Sequence, residues 1–382
     1  MELSLLAHLC CINCAYKLKF WPFPFQLKSK HSFFPKKNNK NNNKEENFSN
    51  WLNKYCLSPD QEVNRKIYRN GLFICPNCSR WYPVINYIPE ILPDHLRDWG
   101  RDLAFLEKQK WQLDSGLKKY LIQVAHKAKF NAKSIIDSGL KFKKAEMNIK
   151  DKVDDPLFFG PGYLAPFNPQ NPEFTRQLIR RFGQVIYLLE LQNPVTILDV
   201  GAGYAWTSEW LAKAGHNVIA LDICRTYLEI GAKRMMNLPL PLQPELLVAD
   251  VEAVPFQGNI FDAILCFDAF HHVPDRKKAL RHLWRTLKPG GQIVLAEPGP
   301  QHEKEPSSIK VMEKFGILEK GMSLEDVQSY AEDLENAEIK QVYIVKVDND
   351  EIKPVLFPAS LKAHKFTDCN YYVIRKKERG NY

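Results

Sequence analysis

Long apolar runs are absent from this sequence of 382 residues, and so is an excess of acidic side chains. No apolar stretch reaches the ~18 residues that a membrane-spanning helix requires, so we expect no membrane span. No Lys or Arg precedes the apolar residues at the start, and no small-residue cleavage site follows them, which disfavours a signal peptide. Hydrophobic and charged residues make up 45% and 25% of the chain, as in ordinary globular proteins. We therefore expect a cytoplasmic protein, and its length favours two domains.

Basic charge is concentrated in the first part of the chain. Residues 1–160 contain 27 Lys and Arg against 16 Asp and Glu, whereas the remaining residues contain 26 against 28. Such a region could attract RNA phosphates or an acidic membrane surface. A solvated helical face joined to a lysine-rich linker is the simpler interpretation, and we weight it above the other two. RNA stays a possible partner, and the sequence indicates no particular oligomeric state.

Two cysteine pairs stand among the first 80 residues, Cys11-Ile-Asn-Cys14 and Cys75-Pro-Asn-Cys78. Four thiolates can form a closed tetrahedral zinc site, which is structural because no coordination position stays open. The 60 residues between the pairs exceed the usual gap, but they include a Lys- and Asn-rich stretch at 28–50 that should be disordered. The cost of loop closure grows slowly with length, so such an insertion is tolerable. Two alternatives stay open: Cys56 replaces one of the ligands, or the thiols are buried without metal.

From residue 195 onward, apolar runs typical of buried strands alternate with helical patterns. The predicted strands are Thr196–Val200, Asn217–Leu221, Leu246–Ala249, Phe261–Phe267 and Gln292–Ala296, followed by Ile339–Val347 and Tyr371–Arg375. Continuous apolar strands separated by helices predict an α/β fold with a parallel sheet covered on both faces. Only a loop separates the last two predicted strands, so we expect them to pair antiparallel.

A glycine-containing turn joins the first of these strands to a helix, in Asp199-Val-Gly201-Ala-Gly203. Glycines at such a turn let the backbone bend tightly and approach a ligand closely. The pattern is not the dinucleotide fingerprint G-x-G-x-x-G, because Trp206 stands where the third glycine belongs. Asp222 ends the next strand, where an acidic side chain can accept hydrogen bonds from a ribose diol. Asp250 ends the third strand, and each of these acidic residues could instead cap a helix.

Five segments in order resemble the class I S-adenosylmethionine-dependent methyltransferases, in particular their type-eleven group, which includes quinone-biosynthesis C-methyltransferases. The segments are ILDVGAG, ALDI, ADVEAVPF, FDAILCFDAFHHV and LKPGGQIVLAEP. The resemblance implies a Rossmann-like, seven-stranded methyltransferase sheet that binds S-adenosylmethionine. The residues that it places at the cofactor are Asp199, Gly201 and Gly203 beside the methionine moiety, Asp222 on the ribose hydroxyls, Asp250 and Val251 at the adenine edge, and Phe267 and Asp268 beside the methionine portion. Ala205 stands where family members often have a further glycine.

Candidate catalytic residues follow the fourth and fifth strands. The cofactor is already activated, so the protein chiefly aligns the reactants, and a base is needed only for a hydroxyl or acidic carbon acceptor. His271 and His272 follow the fourth strand, at the sheet edge where ligands bind, and either could deprotonate an acceptor. Glu297 and His302 follow the fifth strand, in a segment that resembles methyltransferases of bacterial surface-polysaccharide gene sets, and could contact the substrate. The alternatives are packing or turn capping for at least one of the neighbouring histidines, and a lid helix for the later segment.

The two cysteine segments resemble the two halves of the zinc-ribbon family that activates several RNA and protein methyltransferases. The second half matches closely, whereas the first lacks the proline that usually follows its first cysteine. The resemblance implies that Cys11, Cys14, Cys75 and Cys78 are the zinc ligands. We therefore expect a small N-terminal zinc ribbon at 1–94 with an insertion near 28–50, a helical linker or cap at 95–170, and a methyltransferase domain at 171–382.

Three functions are compatible with these features. The first is a methyltransferase that acts on a small molecule or a glycan, and the second is an RNA or protein methyltransferase whose ribbon and basic region recognise the macromolecule. The third is a non-catalytic protein that retains the cofactor fold. No Asn-Pro-Pro-Tyr-type motif follows the fourth strand, where Phe267-Asp-Ala-Phe270 stands, which disfavours amide and exocyclic-amine acceptors. Because the glycine loop, Asp222 and Asp250 are all present, we expect the first function rather than the third.

Overall fold

A computed structural model of the chain describes residues 8–23, 68–109, 113, 115–148, 164–346, 352–356 and 369–378. The low-complexity stretch at 28–50 and Cys56 lie outside the described residues. The chain divides into two compact units, one of residues 1–137 and 245–257 and the other of residues 138–244 and 258–382. These divisions fall elsewhere than the expected domain boundaries at 94 and 170, which stay predictions.

Within the described residues, the strands are β1 Lys19–Phe23, β2 Asn70–Ile74, β3 Trp81–Ile85, β4 Ile88–Ile91, β5 Thr196–Val200, β6 Asn217–Asp222, β7 Glu245–Ala249, β8 Phe261–Phe267, β9 Leu287–Glu297, β10 Ala337–Lys346, β11 Ile352–Leu356 and β12 Asn370–Lys376. The α-helices there are α1 Trp99–Lys108, α2 Ser115–Ala132, α3 Leu140–Met147, α4 Pro172–Leu189, α5 Trp206–Lys213, α6 Arg225–Met235, α7 Arg276–Thr286, α8 Pro306–Phe315 and α9 Leu324–Tyr330. No helix among them is both long enough and apolar enough to cross a bilayer.

The first unit is built on an antiparallel meander of β1, β2, β3 and β4. β4 also pairs in parallel with β7. Helix α2 packs on the meander because four of its residues form one apolar face, namely Leu117, Leu121, Ala125 and Ala128. Trp81 of β3 lies in the same core, and its Nε1 donates to the carbonyl of Leu121 at 3.0 Å. The first two helices after residue 94 therefore pack with the strands of the meander rather than standing apart from them.

The second unit contains a mixed sheet with the strand order β6-β5-β8-β9-β12-β10-β11. β6, β5, β8 and β9 run parallel, whereas β12 is antiparallel to both β9 and β10. Helices alternate with the parallel strands along the chain, so the predicted α/β, Rossmann-like class is confirmed. The antiparallel pairing of the last two predicted strands is also confirmed. The expectation that only a loop separates them is wrong, because β11 lies between them in sequence and pairs with β10.

Helix α4 fixes the strands whose ends carry the predicted site residues. Asn171 caps its first turn by accepting from the N–H of Phe174 at 3.1 Å, and Pro172 starts it at a position where no N–H partner is needed. The buried face of the helix, which includes Phe182, packs in one core with Ile197 of β5. This packing holds the carboxyl end of the parallel strands in place.

Candidate functional site

The glycine loop leads from β5 into α5. Gly201 and Gly203 have φ angles of +67° and +53°, in the left-handed region that favours glycine. A Cβ at Gly201 would lie 2.4 Å from the Cβ of Ala269, so no side chain fits there. A Cβ at Gly203 would meet no atom of the described residues within 4 Å, so these residues leave space beside the backbone for a ligand. Ala205, the departure from the family pattern, also has a positive φ, of 56°.

Asp199 is buried near the end of β5. Its Oδ2 accepts from Thr207 Oγ1 at 2.6 Å and from Ser208 Oγ at 2.5 Å, both in the first turn of α5. Burial raises the pKa of Asp199 to about 6, although the two hydroxyl donors oppose the rise. Asp199 thus ties the strand to the helix across the glycine loop, and its predicted contact with the methionine moiety stays a prediction.

Asp222 ends β6 and holds the glycine loop with its carboxylate. The N–H of Gly203 donates to Oδ2 at 2.8 Å, and the N–H of Cys224 donates to Oδ1 at 2.7 Å. Each carboxylate oxygen keeps a second lone pair for a further donor. Burial raises the pKa of Asp222 to about 7, and the nearby charge of Glu146 on α3 adds to the rise. The structure therefore joins two of the predicted cofactor residues directly, and the ribose contact stays a prediction.

Phe267 ends β8 within a cluster of aromatic rings. Its ring lies edge-on to the rings of Phe182 and Trp206, with centroids 5.7 Å away in both cases. Asp268 follows with a φ of 54°, and its Oδ2 lies 4.0 Å from Nη1 of Arg181. The Asp268 side chain is 24% exposed, so this carboxylate, unlike that of Asp199, reaches solvent.

The 3₁₀ turn Phe270–His272 carries both predicted histidines after β8. The backbone N–H groups at the start of this turn converge on Glu297, the last residue of β9. Glu297 itself has no exposed surface. The N–H groups of Ala269, Phe270 and His271 donate to the Glu297 carboxylate at 2.9–3.2 Å, and the Nδ1 of His271 lies 2.7 Å from Oε2. Glu297 therefore fixes the turn. The expected contact between Glu297 and a substrate does not fit this burial.

His271 is buried between two carboxylates. Its Nε2 lies 3.5 Å from Oε2 of Glu319, on the side of the ring away from Glu297. Burial alone would lower the pKa of His271, but Glu297 and Glu319 outweigh that effect and raise the pKa to about 10. At neutral pH the ring is therefore an imidazolium and offers no lone pair for a proton. The prediction that His271 deprotonates an acceptor does not fit this geometry.

The rings of His272 and His302 are more exposed than that of His271. The Nδ1 of His272 donates to the carbonyl of Leu318 at 2.6 Å and lies 3.6 Å from Oε1 of Glu146 and 3.9 Å from Oε1 of Glu319. In the neutral ring the lone pair therefore lies on Nε2. No residue in the described part of the chain forms a hydrogen bond to that Nε2, and the side chain is 27% exposed. The Nε2 of His302 lies 2.8 Å from Oε2 of Glu319, and its ring lies edge-on to that of His271. The structure thus brings the three predicted histidines together around one carboxylate.

Sequence reasoning missed two residues that organise this cluster. Burial alone would raise the pKa of Glu319, but hydrogen bonds from His271 and His302 hold it well below its usual range. Arg276 is buried and donates to the carbonyl of His271 at 2.8 Å and to that of Lys320, so it joins the histidine turn to the segment that carries Glu319. Nothing in the local sequence marks either residue as a partner of the histidines, and only the fold brings them together.

Asp250 and Val251 follow β7 in the first unit. The Oδ1 of Asp250 accepts from the N–H of Glu252 at 2.9 Å, so the side chain caps a short 3₁₀ turn. The turn is held at both ends, because β7 pairs with β4 before it and Phe256 forms an antiparallel bridge with Leu9 after it. Asp250 therefore has the capping role that the sequence left open, and the adenine contact of both residues stays a prediction.

The four predicted zinc ligands converge in the first unit. All four sulfur atoms lie within 4.8 Å of one another, with 3.5 Å between those of Cys11 and Cys78 and 3.4 Å between those of Cys14 and Cys75. These distances far exceed the ~2.05 Å of a disulfide bond. They approach the ~3.8 Å between sulfur atoms in a zinc tetrahedron with Zn–S bonds of about 2.3 Å. The donor set therefore fits a zinc ion.

The two cysteine pairs lie in matching turns. The N–H of Ala15 donates to the carbonyl of Cys11 at 2.7 Å, and the N–H of Ser79 donates to the carbonyl of Cys75 at 3.0 Å. Ala15 and Ser79 both have left-handed backbone conformations, with φ angles of 60° and 61°. Each pair thus forms one knuckle of the same shape. The alternative ligand Cys56 lies outside the described residues, so the set of Cys11, Cys14, Cys75 and Cys78 stays a prediction.

Known proteins match the part of the chain that carries the glycine loop and the histidine turn. Residues 198–295 match the family described as a methyltransferase domain. Methyltransferase GfsG from Streptomyces halstedii is 28% identical over 204 residues, which are 53% of this chain and 70% of that protein. A demethylmenaquinone methyltransferase from Renibacterium salmoninarum is 38% identical over 101 residues, which are 26% of this chain and 40% of that protein. Among solved structures, magnesium protoporphyrin IX methyltransferase from Synechocystis PCC 6803 with bound SAM has a TM-score of 0.44 and 14% identity, and covers 63% of this chain and 99% of that one.

The family match runs from β5 to β9 and so includes Asp199, the glycine loop, Asp222 and the histidine turn. The chain spans 40% of the length of the demethylmenaquinone methyltransferase, so the acceptor of that enzyme does not transfer with the match. The relatives that align over this segment are named methyltransferases. Residues 198–295 are therefore an S-adenosylmethionine-dependent methyltransferase domain.

Proposed function

We propose that this chain transfers the methyl group of S-adenosylmethionine to a hydroxyl or an acidic carbon of a small molecule or glycan. The observation that carries this proposal is the ring of His272 on the turn after β8: a backbone carbonyl holds its Nδ1, and no described residue forms a hydrogen bond to its Nε2. That turn adjoins the glycine loop, because Ala269 contacts the position of Gly201. The demethylmenaquinone methyltransferase among the relatives is named for a small-molecule acceptor, which is consistent with this class.

Several residues of the second unit would hold the cofactor. Gly201 and Gly203 let the backbone approach it, and the lone pairs left on Asp222 can accept from a ribose diol. Asp268 offers a second carboxylate at the end of β8 that reaches solvent. When bound, S-adenosylmethionine supplies a methyl group that is already activated for displacement. The chain then needs to align the acceptor and to remove one proton.

His272 removes that proton in this proposal. Its Nδ1–H is fixed by Leu318, so Nε2 presents a lone pair to an acceptor hydroxyl or carbon acid. His271 stays protonated between Glu297 and Glu319 and positions the turn rather than accepting a proton. His302 is a weaker candidate because its Nε2 is engaged by Glu319 at 2.8 Å.

The cysteine cluster supports a structural zinc ion in the first unit. Four sulfur ligands leave no open coordination position, so the metal would stabilise the two knuckles and take no part in the reaction. We expect about one zinc per chain, because such sites bind one ion. Metal analysis of the purified full chain tests this, and Cys14→Ser should lose the zinc whereas Cys369→Ser, a buried thiol of the second unit, should keep it. Zinc-free wild-type protein would exclude the site.

A screen with labelled cofactor tests the proposed reaction. The full chain is incubated with labelled S-adenosylmethionine and with polar-metabolite, glycan, RNA and protein fractions of a cell extract. We expect label in the metabolite or glycan fraction, and a fall of about 10²–10⁴-fold in His272→Gln, as for loss of a general base. His126→Gln, an exposed histidine of α2, is the matched control. Label confined to RNA or protein would overturn the acceptor class, and unchanged activity of His272→Gln would overturn the base.

A further inference from the structure

Helix α2 exposes an aromatic ring on the face opposite the core. The buried positions of α2 are Leu117, Leu121, Ala125 and Ala128. At 3.6 residues per turn, Phe130 points directly away from that face, and its side chain is 73% exposed. Because the opposite face is packed against Trp81 and the ribbon strands, the orientation of the helix keeps this ring in solvent.

Two isoleucines follow the helix in an ordered turn. The N–H groups of Lys133, Ser134 and Ile135 each donate to the carbonyl three residues earlier, at 3.2–3.3 Å. Ile135 is 44% exposed and Ile136 is 97% exposed. The next residue, Asp137, is tied to the unit by the Nε2 of His95 at 3.0 Å. The backbone bonds before the isoleucines and the ion pair after them therefore hold both side chains outward.

The same surface is strongly basic. Residues 115–136 contain five lysines and no acidic residue. Lys127, Lys129 and Lys133 are exposed around Phe130, and none forms an ion pair with a residue that the structure describes. The basic and apolar surface is formed by Lys127, Lys129, Phe130, Lys133, Ile135 and Ile136, and we name it the α2 patch.

From this combination we infer that the α2 patch binds the surface of an anionic lipid bilayer. Exposed lysines are attracted to anionic headgroups, while apolar side chains among them enter the boundary between headgroups and acyl chains. A single-stranded nucleic acid would also attract the lysines, but it offers no apolar partner for Ile135 and Ile136, and the patch has one aromatic ring rather than a stacking series. The inference does not depend on the acceptor proposed above, and it requires no helix to cross the membrane.

Vesicle binding of the full chain tests the inference. The protein is sedimented with vesicles of phosphatidylcholine alone and with vesicles that also contain phosphatidylglycerol, at low and high salt. We expect binding to the anionic vesicles that weakens as salt rises, and little binding to the neutral ones. Equal binding to both kinds of vesicle, or binding to neither, would overturn the inference.

Two sets of variants separate the charge from the apolar tips. Replacing Lys127, Lys129 and Lys133 by Gln should weaken binding to anionic vesicles about a hundredfold. Combining Phe130→Ser with Ile136→Ser should weaken it at least about tenfold, because both side chains leave water on binding. The control combines Ile186→Ser with Tyr187→Ser, which replaces side chains of α4 that are 43% and 63% exposed and should leave binding unchanged.

The outcomes distinguish the bilayer from other partners. If only the lysine variant lost binding, the protein would be held on the vesicle by charge alone. That result would contradict the insertion of Phe130 and Ile136 into the bilayer. Binding of a labelled single-stranded RNA that depends on the lysines, without binding to vesicles, would assign the α2 patch to nucleic acid and overturn the inference. Weakened binding in both sets, with an unchanged control, is the result that the inference predicts.

Discussion

Raising the pH from 7 to 9 should lower the free energy of unfolding through His271. Burial opposes protonation of this ring, but Glu297 and Glu319 raise its pKa in the folded chain to about 10, above its ordinary value of 6.5. The folded chain thus keeps a proton that the unfolded chain releases. The stabilisation is fully present below pH 6.5 and is lost as the pH rises through 10. With these two pKa values, the linkage relation gives a loss of roughly 2–3 kcal/mol between pH 7 and pH 9.

Urea unfolding of the full chain at pH 7, 8 and 9 measures this loss. Other groups also contribute to the pH dependence of unfolding. Burial raises the pKa of Cys224 from its ordinary value of 9.0 to about 12, so this thiol loses its proton more easily in the unfolded chain. The wild type must therefore be compared with His271→Gln. We expect the difference in unfolding free energy between the two proteins to shrink by roughly 2–3 kcal/mol over this range. Glu319→Gln retains His271 and its partner Glu297, so the pH dependence of its unfolding free energy should lie between those of the other two proteins. The same pH dependence in all three proteins would refute the assignment of a protonated, doubly paired His271.

Three further changes test the glycine loop, the strand behind it and the zinc site. Gly201→Ala should lower the free energy of unfolding by about 3 kcal/mol in denaturant titrations, because the added methyl group collides with Ala269. Gly203→Ala should lower the free energy of unfolding by only about 1 kcal/mol, and its main effect should be weaker cofactor binding. Equal destabilisation by both would contradict the contact. Asp199, with a pKa raised to about 6, stabilises the fold below its unfolded value of 3.8 and loses that stabilisation as the pH rises through 6. Relative to Asp199→Asn, the wild type should therefore lose about 2 kcal/mol between pH 4 and pH 7 in the same titrations, and parallel curves would argue against the shift. Removal of zinc by a chelator should lower the melting temperature of the wild type and leave that of Cys75→Ser unchanged; equal responses would exclude a metal-stabilised ribbon.

The sequence predicts most of the strands of the second unit because they are buried on both faces. Apart from Thr196 and one aspartate in each strand, β5 and β8 are apolar, and both begin and end at the predicted residues. β11 was missed because its sequence contains Lys353 and Pro354, which interrupt the apolar pattern. Proline is tolerated there because β11 is the last of the described strands in its sheet, and only β10 pairs with it among them.

The candidate site could be predicted where it depends on neighbours in sequence. The glycine loop follows directly from β5, and the two cysteine knuckles follow from their two-residue spacers. The pairing of His271 with Glu297 spans 26 residues, and that of His302 with Glu319 spans 17. Only the fold brings these side chains together. The sequence therefore indicated histidines as bases without showing that the carboxylates around His271 would keep it protonated.

Calorimetry of the full chain with S-adenosylmethionine tests the central claim most directly. The structure places the Asp222 carboxylate on the N–H of Gly203, where the glycine loop borders open space. We predict binding in the micromolar range for the wild type, loss of binding in Asp222→Ala, and unchanged binding in Asp333→Ala, which alters an exposed carboxylate paired with Arg281. No heat with the wild type, or equal binding by Asp222→Ala, would contradict the claim that this loop is the cofactor site of a methyltransferase.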